Sequence, residues 1–262
     1  MDRETRRLLL DQLDEKLRRN CRYIGRDVEK LENVTRVTGP SPSGFDNVIV
    51  WSRLNSENAD AEIDRHIEWF AAKQHTFTWI VYHHDRPEDL KERLFARGFT
   101  LESSDEVVIA RSEIIRNDSP PDDIQIRKVT DPQDLADVLQ VQDKVWGTGY
   151  HDFLSRWLGQ MMRDHPEESC IVTAYSDEQP VGSAWSVNWS DRPFAPLFAG
   201  CVLPEWRGRG IYRAMVAARA EAAAARGIPW CLVDAGAESL PILLRSGFQT
   251  LTSRASLSKG FE

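Results

Sequence analysis

Residues 202–212 read V-L-P-E-W-R-G-R-G-I-Y and pass at once into the alanine-rich run R-A-M-V-A-A-R-A-E-A-A-A-A-R. The pattern predicts a strand, a glycine-bearing turn and a long helix. Where a strand runs straight into such a turn, several N–H groups at the helix start lack intrahelical acceptors and together form a cradle for an anion. Gly208 and Gly210 let the backbone approach a ligand, and Arg207 and Arg209 bring charge that can pair with phosphate oxygens. No G-K-[ST] follows, so this is not a Walker loop, and Arg213 stands where the dinucleotide fingerprint has its third glycine. On these residues alone, a tight turn with two solvated arginines remains the competing reading.

The surrounding order of elements narrows the fold. Residues 112–124, S-E-I-I-R-N-D-S-P-P-D-D-I, combine paired prolines with acidic residues and read as an exposed linker, which divides the chain into 1–115, a linker at 116–123, and 124–262. The first part reads as a helix over 2–19, a strand D-N-V-I-V-W-S, a helix over 57–74, a strand T-W-I-V-Y, a helix ending at Gly98, and a strand D-E-V-V-I-A-R. The second reads as strand I-Q-I-R-K-V, two helices separated by W-G-T-G-Y-H-D-F, a hairpin, the strand F-A-P-L-F-A-G-C-V-L and the long helix. It closes with strand P-W-C-L-V-D, a helix ending at Gly247, and two short strands over F-Q-T-L-T-S and A-S-L-S. Hairpins mixed with helical crossovers imply an α/β (α+β) fold, a mixed, mostly antiparallel sheet flanked by helices. The parts also echo each other: T-W-I-V-Y-…-A-R-G-F beside P-W-C-L-V-D-…-R-S-G-F, each a strand, loop, helix and Gly-Phe before a strand, which suggests duplication.

Net charge is −8, with 25 acidic residues against 19 basic in residues 1–123. Such a chain has no broad electrostatic reason to bind nucleic acid, so any anion site is local. No apolar run is long enough to span a bilayer, and the charged start M-D-R-E-T-R-R-L-L-L-D-Q-L reads as an amphipathic helix, not a signal peptide. A cytoplasmic protein without membrane contact is expected. Cys21, Cys170, Cys201 and Cys231 lack C-x-x-C spacing and read as buried free thiols. His83-His84-Asp85 suggests a metal on paper, but adjacent strand histidines point to opposite faces, and no metal is expected.

V-x-P-x-x-R-G-R-G-I, the late R-S-G-F and the element order of 124–262 together resemble the GCN5-related N-acetyltransferase (GNAT) family. The resemblance implies acetyl-CoA as co-substrate, its pyrophosphate held by backbone amides of R/Q-x-x-G-x-G/A, here Arg207, Gly208, Arg209, Gly210, Ile211 and Tyr212. Tyr212 departs from the Gly or Ala of the pattern, but the contact at that position is a backbone amide, which tyrosine also has. It further implies that the strand before the turn splays from P-W-C-L-V-D, with pantetheine bonded to backbone of Cys201, Val202 and Leu203, and a bulge at Gly200 would serve that geometry. The first half has nothing like R-G-x-G and resembles a reduced half of the same kind, covering the active domain, completing the substrate cleft or making a homodimer contact.

The implied reaction is attack of a primary amine of a small molecule on the thioester, which needs a group to take the amine proton and one to protonate the departing thiolate. The family's usual positions for these hold Pro196 and Leu243. Asp234, Glu238 and Ser239, near the splayed strand ends, are the candidates that remain, each with an ordinary capping or solvated reading beside it. Tyr150 and His151, in the segment between the first two helices, are the candidates for amine recognition. A silent acyl-CoA sensor, a protein lysine or N-terminal acetyltransferase, and a non-enzymatic interaction module are the rival readings.

Overall fold

The computed structural model describes residues 1–115 and 119–261 and divides into two compact units, Met1–Val107 with Thr250–Glu262, and Val108–Gln249. This division differs from the one expected at 116–123, of which residues 116–118 lie outside the described residues. Backbone pairing is the reason. The last strand of the chain belongs to the first unit, where Arg254 lies opposite Tyr82 and Lys259 opposite Phe77 in an antiparallel ladder.

The first unit opens with helix α1 (Arg3–Leu13), capped by Asp2, whose carboxylate accepts from the Thr5 N–H at 2.9 Å, and continues through a wider helical turn, Asp14–Arg19. Strands β1 (Asp27–Lys30), β2 (Val34–Thr38) and β3 (Val48–Ser52) follow, then helix α2 (Ala59–Ala71), strand β4 (Phe77–Tyr82), helix α3 (Leu90–Ala96) and strand β5 (Thr100–Arg111). The sheet runs β1-β2-β3-β4 and then β11 (Gln249–Lys259), with the first part of β5 beside β11. β1 and β2 were not anticipated; each is short, and D-V-E-K offers no apolar alternation to read. The two short strands expected at the end of the chain are one, because Arg254 and Ala255 remain in the β4 ladder. Phe70, Phe77 and Phe99 form the aromatic centre of this core, Phe70 stacked on Phe77 with centroids 4.2 Å apart.

The second unit contains strand β6 (Ile124–Lys128), helices α4 (Leu135–Trp146) and α5 (His151–Asp164), and strands β7 (Ser169–Ser176), β8 (Gln179–Val187) and β9 (Phe194–Val202). Helix α6 (Ile211–Ala225), strand β10 (Trp230–Ala235) and helix α7 (Leu240–Arg245) complete it. The order is β6-β7-β8-β9-β10, antiparallel until the parallel β9/β10 pair, with the end of β5 beside β10. α6 places Val216, Ala220 and Ala223 on one core with Ala195, Leu197, Val233 and Leu243, and Ile211 and Met215 on another with Val172, Ala184 and Val202. Its alanines let it approach the sheet closely. Among the described residues, no helix is long and apolar enough to cross a membrane.

Candidate functional site

β9 and β10 part company. They pair only from Trp230↔Phe194 to Leu232↔Pro196, so from Leu197 onward no strand among the described residues pairs with the edge of β9 facing away from β8. Pro196, with no N–H to donate, stands at the last paired position and cannot extend the ladder. On its other edge β9 stays bonded to β8 as far as Val202, but the register shifts between Ser183 and Trp185, so three steps along β9 from Phe198 to Cys201 match two along β8. The expected bulge is therefore present, with its positive φ of 44° taken by Ala199 and not by Gly200.

Two buried polar side chains hold this bulge from opposite faces. Gln142 of α4 donates to the Ala199 carbonyl at 3.0 Å, and it also reaches the Ser183 hydroxyl and the Cys201 sulfur. Arg219 of α6, 1% exposed, donates to the carbonyls of Met215, Trp185 and Phe198. Burial pulls its guanidinium below its ordinary pKa, against the electrostatic help of Tyr212 and the thiols of Cys170, Cys231 and Cys201. Gly200 faces α6, where a Cβ would sit 2.9 Å from the Tyr212 ring and 3.2 Å from Arg219 Nη2. The Cys201 thiol, pushed up by burial, is a packed group and not a thiolate nucleophile. Cys201, Val202 and Leu203 are all buried, so what they can offer a ligand is backbone.

At the end of β9 the chain turns through Pro204–Trp206 into the glycine pair, and Gly210 caps α6. Gly208 and Gly210 both lie in the left-handed region, φ 77° and 87°. A Cβ on Gly208 would meet nothing within 4 Å, so it is conformation, not crowding, that demands glycine there. Among the described residues, none of the hydrogen bonds is donated by the backbone N–H groups of residues 208–212. A run of donors at the positive end of a four-turn helix is a geometry suited to an anion. Its arginines are less free than expected. Arg209 donates through Nη2 to both carboxylate oxygens of Asp123 at 2.6 and 2.8 Å and lies over the Trp206 ring, and Arg207 bonds the Val202 carbonyl and stands 3.7 Å from Glu238. Arg213, whose Nη2 lies 3.4 Å from where a Gly210 Cβ would be, is a third cation at the turn that the motif did not point to.

The remaining predicted residues separate. Asp234 is half-buried on β10, whereas Glu238 is exposed and its carboxylate faces Arg207. Ser239 is the N-cap residue of α7 but makes no side-chain capping bond; its hydroxyl donates back to the Gly236 carbonyl at 3.3 Å. Leu243 is wholly buried in the α6 core and Pro196 is at the strand divergence, so neither position offers a titratable group. Tyr150 ends a short turn, and His151 begins α5 with Nδ1 2.7 Å from the Asp143 carboxylate of α4. This dyad was not legible in sequence. The same helix pair touches β9 nearby: Val141 and Val145 pack on Cys201 and Leu203, and Trp157 meets the Phe198 ring edge-on at 6.0 Å.

In the first unit, Asp14, His84 and Asp85 bring their ligand atoms within 4.8 Å of one another, without His83. Arg18 already sits among them, bidentate to Asp85 at 2.7 and 2.8 Å and bonded to Asp14. Burial raises the Asp14 carboxyl, but His84 and Arg18 outweigh it and hold its pKa below the ordinary value. The group is a partly buried ion-pair knot in which Arg18 is a cation.

Residues 133–248 match the model of the acetyltransferase (GNAT) family. No curated protein sequence matches the chain. Among solved structures, a GCN5-related N-acetyltransferase from Kribbella flavida is 14% identical, with TM-score 0.69 over 99% of this chain and 95% of that one. A tandem GNAT protein from the clavulanic acid biosynthesis pathway is 10% identical, with TM-score 0.65 over 91% and 84%. A GCN5-related N-acetyltransferase from Sphaerobacter thermophilus is 14% identical, with TM-score 0.63 over 88% and 82%. At such identities the likeness is one of fold, and it extends over both halves of the chain.

Proposed function

From a second half that is a GNAT acetyltransferase-family domain and a first half that is GNAT-like in fold, we propose that the protein transfers the acetyl group of acetyl-CoA to a primary amine of a small molecule. The observation that carries this reading is the conjunction of the β9/β10 divergence after Pro196 with the open amide cradle that follows β9 at residues 208–212. A pantetheine arm laid on the free edge of β9 would bond to backbone of Cys201, Val202 and Leu203. The diphosphate would take the N–H groups of Gly208 to Tyr212, with Arg207 and Arg209 trading their carboxylate partners for phosphate and Arg213 adding charge. Bound there, acetyl-CoA supplies the activated acyl carbon.

The chain's own contribution is to position the amine and manage its protons. His151, oriented by Asp143, is the group suited to receive the proton of the attacking amine, beside Tyr150. Glu238, held toward Arg207, serves the cofactor turn better than a base, and Asp234 and Ser239 line the region where β10 ends. The cradle alone would equally suit an acyl-CoA sensor, and the test must separate the two. Amines, polyamines, amino acids, aminoglycosides and peptides are screened for CoA release, alongside thermal shift with acetyl-CoA. CoA release with a small amine supports the enzyme; a thermal shift with no turnover would leave the sensor, turnover of peptides alone a protein acetyltransferase, and no shift an interaction module.

A further inference from the structure

The Tyr212 side chain occupies a position that its pattern reserves for almost nothing. Projecting from the first turn of α6 toward the sheet, its ring lies on the bare Cα of Gly200, in the stretch of β9 that has lost its β10 partner. It packs with both α6 cores and reaches Leu240 and the Ser239 hydroxyl at the start of α7. The ring therefore spans from β9 to α7 across the mouth of the divergence. Beside it stands Arg219, a buried cation whose hydrogen bonds, among the described residues, go to carbonyl groups only. A large side chain on the helix and a glycine on the strand have exchanged the usual sizes, which places a hydroxyl where an alanine would leave space.

Resting on the acetyl-transfer reading, we propose that Tyr212 donates the proton to the departing CoA sulfur, the task for which Leu243 offers no group. As the amine nitrogen bonds to the acyl carbon, the C–S bond breaks and its electron pair stays on sulfur, which takes the phenolic proton. The phenolate, stabilised by the adjacent Arg219 charge, is reprotonated from solvent, while the proton the amine nitrogen gives up leaves through His151. Burial pushes the Tyr212 phenol above its ordinary pKa, against the opposing pull of Arg219 and Ser239, so at neutral pH the ring carries the proton it must give.

The test needs no acceptor. CoA and desulfo-CoA, which differ at the sulfur, are titrated calorimetrically into the wild type and Tyr212→Phe, a change that keeps the ring on Gly200. The wild type is expected to bind CoA about fivefold tighter than desulfo-CoA, and Tyr212→Phe to erase that difference by weakening CoA alone. Equal weakening of both ligands, or no change in either, would mean that the ring only floors the slot, and would overturn the proposal. Binding of neither ligand by the wild type would instead remove the acyl-CoA reading, and this proposal with it. If Tyr212→Phe melts early, Ser239→Ala is titrated in the same way, and an unchanged sulfur preference there would count against the phenol's orientation toward the sulfur.

Discussion

The Tyr212 ring and the Cα of Gly200 are fitted to each other: a methyl group on Gly200 would come within 2.9 Å of ring carbon Cε2. Such an approach has to be relieved by moving either the ring or the strand. Gly200→Ala is therefore expected to destabilise the second unit by about 1–3 kcal/mol, and Tyr212→Ala in the same chain to recover part of that loss. A double-mutant cycle by urea denaturation measures the coupling; strictly additive effects would mean that the two residues are not in contact.

Arg219 closes the bulge from the α6 side through the carbonyls of Trp185 and Phe198. Arg219→Met keeps much of the stem but removes the guanidinium donor from both carbonyls. A loss of about 2 kcal/mol is expected, the relief of a desolvated charge offsetting part of the cost. Urea unfolding reads it directly. Unchanged stability would place the bulge's support elsewhere, with Gln142.

His151 and Asp143 make a further prediction through their 2.7 Å contact. Once an acceptor is found, His151→Asn is expected to lower kcat by about 10²-fold, with the KM for acetyl-CoA little altered. Asp143→Asn should lower it less. A fall in acetyl-CoA affinity with kcat preserved would assign both residues to structure.

How much of this was legible in the sequence depends on whether the signal was local. The turn was, because two glycines with positive φ and an alanine helix sit in consecutive residues. The strand divergence was foreseen only through resemblance, although Pro196, lacking an N–H at the last paired position, is its visible cause. The dyad of His151 with Asp143, the Gly200 contact of Tyr212 and the bonds of Arg219 to the Trp185 and Phe198 carbonyls join residues 8 to 34 positions apart, and no spacing rule exposes such pairs. Membership of the last strand in the first unit was hidden for the same reason: A-S-L-S reads as a strand but does not say that Ser256 will lie opposite Ile80.

In the first unit, His66 is fully buried, with Nδ1 3.5 Å from Arg36 and Nε2 3.6 Å from Glu62. Arg36 can only donate, so Nδ1 accepts, and the ring proton sits on Nε2. Burial, then the charges of Arg36 and Arg65, depress its pKa to about 3. The unfolded chain takes up a proton on this ring near pH 6.5 while the folded one does not, so stability falls as pH drops from there toward 3. Between pH 7 and pH 5 the loss from this group is about 2 kcal/mol. His66→Gln should flatten that part of the profile in urea titrations at the two pH values; an equally steep profile would show that His66 protonates in the folded state.

In the proposed function, the backbone N–H groups of residues 208–212 cradle the diphosphate of acetyl-CoA. Calorimetric titration of acetyl-CoA into the wild type and Gly210→Asp tests it most directly, since the variant puts a carboxylate at the helix N-cap and strains a backbone at φ 87°. Melting curves confirm that both proteins are folded. The wild type is expected to bind acetyl-CoA, with an affinity at least about tenfold weaker in the variant. Equal affinity in a folded Gly210→Asp protein would contradict it.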